Sequence, residues 1–176
     1  MSEQKQINGS VVKAIKGDLT ALETECIVFY AQSDLKLGSG FGTAIAVRGG
    51  PSIQQECDGL APVSDLGAVI TKAGELKAAH IIHANGPKFQ EAETEGKLKT
   101  TIVNALEIAK ENSISRIALP PMGTGFYGIP LGDCARISME AVKEHLEAGS
   151  TLQEVTFCLL DNRELAPFQL QIENLA

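Results

Sequence analysis

The chain has 176 residues, 44% of them apolar and 21% charged, enough for one ordinary domain with a substantial core and short of two. Its net charge of −7 argues against nonspecific binding to DNA, whose affinity rests on cationic contacts to phosphate. No apolar run approaches the ~20 residues of a membrane helix, and no basic patch precedes an apolar stretch at the start, so the expectation is a cytoplasmic protein without membrane or secretory segments.

Taken in chain order, the polar start "MSEQKQINGS" reads as a flexible segment over residues 1–10, with a single domain over 11–176. "VVKAIKGD" begins β-branched and closes on Gly-Asp, which predicts a strand from Val11 to Ile15. "ECIVFYA" is a short continuous apolar run, the pattern of a strand covered on both faces. A helix is expected to start near Thr43. "GAVITKAG" and "HIIHANGP" each hold a β-rich run closed by turn residues. Between Lys97 and Asn112, Leu98, Ile102, Ala105 and Ala109 recur on one helical face. "SRIALP" is the next strand. From Leu131 to Glu147, Ala135, Met139, Val142 and Leu146 share one side of a helix that Gly149 can stop. "EVTFCLLD" is the last strand, followed by a helix from about Asn162. The alternation predicts an α/β layered domain with a largely parallel sheet.

Four cysteines stand far apart without a Cys-x-x-Cys pair, so no metal or redox site is expected. Cys26 and Cys158 sit inside apolar runs and read as small buried hydrophobes. His145 reads as part of a surface-facing helix. His83, at the end of its strand, reads first as a satisfied core histidine.

Two glycine loops stand out. "LPPMGTGFYGIP" lies between a strand and a helix, with Gly123, Gly125 and Gly128 in it. "LKLGSGFGTAI" repeats the arrangement with Gly38, Gly40 and Gly42. Each could be a tight turn that lets a helix pack closely. Each could equally present bare N–H groups to phosphate oxygens at the carboxyl ends of the strands, with no cationic side chain. Two loops with a matching Gly-x-Gly-Phe core favour a ligand. Neither has the Lys-Ser or Lys-Thr of a P-loop. The loop "LKLGSGFGTAI" has Thr43 where the Rossmann fingerprint needs its last glycine, and six residues, Gln32 to Leu37, separate it from the strand. ATPase, GTPase and dehydrogenase functions are therefore disfavoured.

The order and spacing of "KGDLT", "IVFYAQSDLKLGSGFGTAI", "IIHANGP", "IALPPMGTGFYGIP" and "EVTFCLLD" resemble the macro domain family, the ADP-ribose-binding modules. The resemblance implies a three-layer α/β/α fold with a mixed, largely parallel six-stranded sheet. It implies that Asp18, otherwise a turn or cap residue, accepts from the adenine amine beside the Leu19 N–H. It places Gly38, Ser39, Gly40, Phe41, Gly42 and Thr43 around one phosphate and the distal ribose. It places Gly123, Thr124, Gly125, Phe126 and Tyr127 on the other side of the diphosphate. The chain departs from the family where Phe29-Tyr30-Ala31-Gln32 replaces Asn-Ala-Ala-Asn. Gln32 keeps an amide for the distal ribose, and Leu160 stands where an aromatic often covers the adenine. No acid stands near Gly42, where hydrolytic relatives carry one.

Three functions follow from the resemblance: a binder of free or protein-linked ADP-ribose, a hydrolase of ADP-ribosyl or O-acetyl-ADP-ribose esters, or a scaffold whose pocket Phe29, Phe41 and Leu160 have partly filled. No cofactor is expected. The partners implied are ADP-ribose or a related nucleotide-sugar and ADP-ribosylated proteins.

Overall fold

A strand buried on both faces needs helices above and below it, and the chain provides them in two sets. The structure is a computed structural model that describes residues 3–38, 40–88 and 90–175, without the side chains of Glu3 and Phe126. Seven strands form one sheet: β1 (Glu3–Ile7), β2 (Ser10–Lys16), β3 (Cys26–Ala31), β4 (Ala68–Lys72), β5 (His80–Asn85), β6 (Arg116–Leu119) and β7 (Glu154–Leu159). Their order is β1-β2-β7-β6-β3-β5-β4. The five inner strands run parallel, and both edge strands pair antiparallel. The helices are α1 (Phe41–Gly49), α2 (Ser52–Leu60), α3 (Thr94–Glu111), α4 (Leu131–Glu147) and α5 (Asn162–Glu173).

The sheet has seven strands, where six were expected. The difference is β1, drawn from residues read as flexible. Its sequence "EQKQI" has no apolar alternation, because an edge strand that buries only Ile7 of residues 4–7 needs none. What holds it is a two-residue turn, Asn8-Gly9, with both φ angles positive at 50° and 85°. The Lys5 ammonium then donates to the Glu173 and Leu175 carbonyls, each at 2.8 Å, and ties β1 to the end of α5.

Successive side chains of a strand face opposite layers. Cys26 and Val28 of β3, with Val155, Phe157 and Leu159 of β7, meet α3, α4 and α5. Ile27 and Cys158 meet the layer built from α1 and α2. Leu98, Ile102, Ala105 and Ala109 are fully buried on α3, and Ala135, Met139, Val142 and Leu146 are buried on α4. Phe157 and Phe168 pack with ring centroids 5.0 Å apart, and truncating either one to alanine costs about 3–5 kcal/mol. All four cysteines are buried and unpaired.

His145 is not at the surface. It is 7% exposed, its Nε2 lies 2.7 Å from the Ser150 hydroxyl, and its Nδ1 lies 3.4 Å from the Glu107 carboxylate. It sits next to the apolar stripe of α4 and turns into the helix layer. No helix among the described residues is long and apolar enough to cross a membrane.

Candidate functional site

Because β2, β7, β6 and β3 are parallel neighbours, their following loops gather along one edge of the sheet. A cleft of about 510 Å³ opens there. One end is walled by Gly17 and Leu19 after β2 and by Cys158, Leu160 and Glu164 around β7 and α5. Pro120, Pro121, Gly123, Thr124 and Tyr127 after β6 form one side. Phe29, Tyr30, Gln32, Lys36, Gly40 and Phe41 form the far end and the other side. The cleft spans three strand spacings, about 14 Å.

Both glycine loops reach this cleft. Gly40 has φ 54° and ψ −126°, a conformation that side chains avoid, and stands directly before α1. The amides at the start of α1 and the positive end of its dipole lie beside it. Gly123 has φ 80°, and a Cβ there would come within 2.7 Å of Ile129 Cδ1. Thr124 follows in ordinary extended backbone at φ −85°, ψ 179°. The cleft thus has main chain on two sides, an apolar end at Leu19 and Leu160, and an aromatic end at Tyr30 and Tyr127.

Of the residues named from sequence, Leu19, Gln32, Gly40, Phe41, Gly123, Thr124, Tyr127 and Leu160 line the cleft. Asp18, Gly38, Gly42, Thr43 and Gly125 do not. Ser39 and the side chain of Phe126 lie outside the described residues. Asp18 caps the 3-10 turn Leu19–Ala21: its Oδ1 accepts from the Thr20 N–H at 2.9 Å and the Thr20 hydroxyl at 2.6 Å. Its Oδ2 accepts from the Arg48 guanidinium, which also donates to Thr20 Oγ1. The Thr20 hydroxyl bond, with help from Arg48, holds the Asp18 carboxyl below its usual range. Asp18 itself is outside the lining, between the lining positions Gly17 and Leu19 in the chain.

Sequence reasoning did not name Gly17, Lys36, Pro120, Pro121, Cys158 or Glu164 as site residues. Lys36 is the basic residue in this wall, and its Nζ is engaged by Asp58 at 2.9 Å. Glu164 had a signal in "DNRE". Asp161 caps α5 by accepting from the Glu164 N–H at 2.9 Å, and Glu164 Oε1 accepts from the N–H of Leu160, the residue before the cap, at 2.9 Å, which ties Leu160 to the first turn of α5. Burial pushes the Cys158 thiol up to about 11.

The aromatic departures from the family pattern leave the cleft open. The Phe29 and Phe41 rings stack on one side, centroids 6.1 Å apart, and Leu160 is 66% exposed rather than folded inward. His83 is fully buried beneath Phe29, with Nε2 2.9 Å from the Thr71 hydroxyl and 3.8 Å from Cys57 Sγ. Burial lowers it to about 4, and it does not reach the cleft. Among the described residues, no three of His, Cys, Asp and Glu gather to hold a metal ion.

Fold and site together define an α/β protein with a strand-end cleft, walled by main chain and closed by apolar groups at its ends. The macro domain model matches residues 30–138, and the chain belongs to the macro domain family. A macro domain-containing protein of Caldanaerobacter subterraneus is 37% identical over 172 residues, 93% of this chain and 97% of its own. An uncharacterized protein of Sulfurisphaera tokodaii is 44% identical over 138 residues, 76% of this chain and 75% of its own. Among solved structures, the Oceanobacillus iheyensis macrodomain with ADP superimposes with TM-score 0.91 at 26% identity, covering 98% of this chain and 95% of that one. The Trypanosoma brucei macrodomain in complex with ADP-ribose gives TM-score 0.84 at 25% identity, covering 90% of this chain and 68% of that one.

Proposed function

We propose that the cleft binds ADP-ribose, free or attached to a protein. The observation that carries this reading is the pair of glycine loops facing one open cleft, each with a positive-φ glycine in the wall. In this reading the first-turn amides of α1 and the amides around Gly123 and Thr124 hold the diphosphate. Leu19 and Leu160 enclose the adenine, whose amine reaches Asp18. Gln32 and Tyr127 take the distal ribose. Macrodomains of similar structure that hold ADP and ADP-ribose support the ligand class.

The open volume of about 510 Å³ favours binding over a filled scaffold, since drug-sized ligand sites run from roughly 300 to 1,000 Å³. Hydrolysis draws little support from the side chains. Glu164 is committed to the Leu160 N–H, and His83 is sealed in the core. Calorimetry with ADP-ribose tests the proposal: a saturable heat is expected, and none at millimolar ligand would refute it.

A further inference from the structure

The loop between β3 and α1 carries the run Leu35-Lys36-Leu37, and its residues are sorted by chemistry. Leu35 and Leu37 are buried, at 1% and 7% exposure, and Lys36 between them is exposed and lines the cleft. Lys36 is the only basic residue among the described lining residues.

α2 grips this run with two residues one helical turn apart. Gln54 fixes the main chain: its Nε2 donates to the Leu35 carbonyl at 3.1 Å, and its Oε1 accepts from the Leu37 N–H at 2.9 Å. Asp34 Oδ1 adds a turn by accepting from the Lys36 N–H at 3.0 Å. Asp58 holds the side chain instead. Its Oδ1 accepts from Lys36 Nζ at 2.9 Å and from Gln54 Nε2 at 2.9 Å. Neither Gln54 nor Asp58 lines the cleft.

The loop backbone and the charge it carries are therefore held separately. Gln54 and the two buried leucines set the place of the main chain, and Asp58 sets the place of the ammonium. The ion pair is exposed, with side chains 60% and 49% accessible, and pairs of this kind are weak. A lysine carries its charge on a flexible stem, so it can trade one acceptor for another while the main chain stays fixed. A diphosphate is a stronger acceptor than one carboxylate, because it brings two charges.

We infer that Lys36 is a ligand-binding residue held in reserve: when the cleft takes a diphosphate, the ammonium leaves Asp58 for a phosphate oxygen, and Asp58 acts as a brake on affinity from outside the cleft. The inference rests on the proposed ADP-ribose reading, in which main chain alone holds the diphosphate.

Titration calorimetry with ADP-ribose at low and high salt tests it. Asp58→Asn keeps an oxygen for Gln54 and removes the charge that holds the lysine, so binding should tighten by about 2- to 5-fold, the scale of an exposed ion pair. Lys36→Gln should weaken binding by about 3- to 10-fold and flatten its dependence on salt. Lys36→Arg keeps the cation and should retain most of the wild-type affinity. The double variant identifies the cause: with Lys36 already replaced by Gln, Asp58→Asn should change nothing. Both positions are exposed, so all variants should melt within a few degrees of wild type. Wild-type affinity in Asp58→Asn or in Lys36→Gln would overturn the inference while leaving ADP-ribose binding intact. So would a gain from Asp58→Asn that persists without the lysine, since the carboxylate would then act through its field alone. A wild type with no saturable heat would overturn the underlying reading and the inference with it.

Discussion

Replacing Thr124 by Glu puts the diphosphate assignment to a direct test. Thr124 lines the cleft in extended backbone at φ −85°, which any residue adopts, so the substitution brings charge without backbone strain. A carboxylate about 5 Å from one phosphate charge, at an effective dielectric of about 20, costs about 3 kcal/mol. That is a loss of more than about 100-fold in affinity. Thr124→Gln has nearly the same shape without the charge and measures the effect of bulk alone. Calorimetry should therefore place the Glu variant at least about 30-fold below the Gln variant, with both melting within a few degrees of wild type. The gap should shrink in 1 M salt, where the screening length falls to about 3 Å. Equal affinities for the Glu and Gln variants would refute the placement of an anion beside this loop.

Leu160→Phe adds a ring at the exposed apolar end of the cleft, and ADP-ribose should bind about 2- to 10-fold more tightly by titration, the range of aromatic pairing. Gly123→Ala forces a side chain into φ 80° and against Ile129 and should lower stability by about 2–3 kcal/mol, read as a drop of roughly 5–10 °C in melting temperature. Stability should also fall on acidification because of His83. Its folded value of about 4 lies below the ordinary 6.5, so its contribution is complete above pH 6.5 and is lost as the pH falls toward 4. The total is about 3 kcal/mol. His145, also lowered by burial, acts in the same direction. A melting temperature flat between pH 7 and 4, or a His83→Gln variant with an undiminished slope, would refute the assignment.

The inner strands were legible because each is a short β-rich run bounded by turn residues, and burial on both faces requires that pattern. The faces of α3 and α4 were legible from their 3.6-residue period. β1 was not, since a half-exposed edge strand needs no apolar alternation; its real signal was the Asn8-Gly9 turn. α2 was missed because only Ile53 and Cys57 of its nine residues are buried, which leaves almost no stripe to read. In the cleft, Gly40 and Gly123 were readable because the backbone there excludes other residues. Lys36, Cys158 and Pro120 were not. They reach the wall through the crossing of distant strands, which local sequence does not encode. His145 misled because its helix position borders the buried stripe and its burial depends on the loop carrying Ser150.

The four cysteines have a practical consequence. Burial pushes Cys26 up to about 12 and Cys57, Cys134 and Cys158 to about 11, so the reactive thiolate is scarce while the chain stays folded; Cys26, Cys57 and Cys134 are also sealed in the layers, whereas Cys158 borders the cleft. Alkylation then becomes a clock for opening events. Cys158, on the cleft floor, times the loosening of that region, and the other three time the melting of the layers around them.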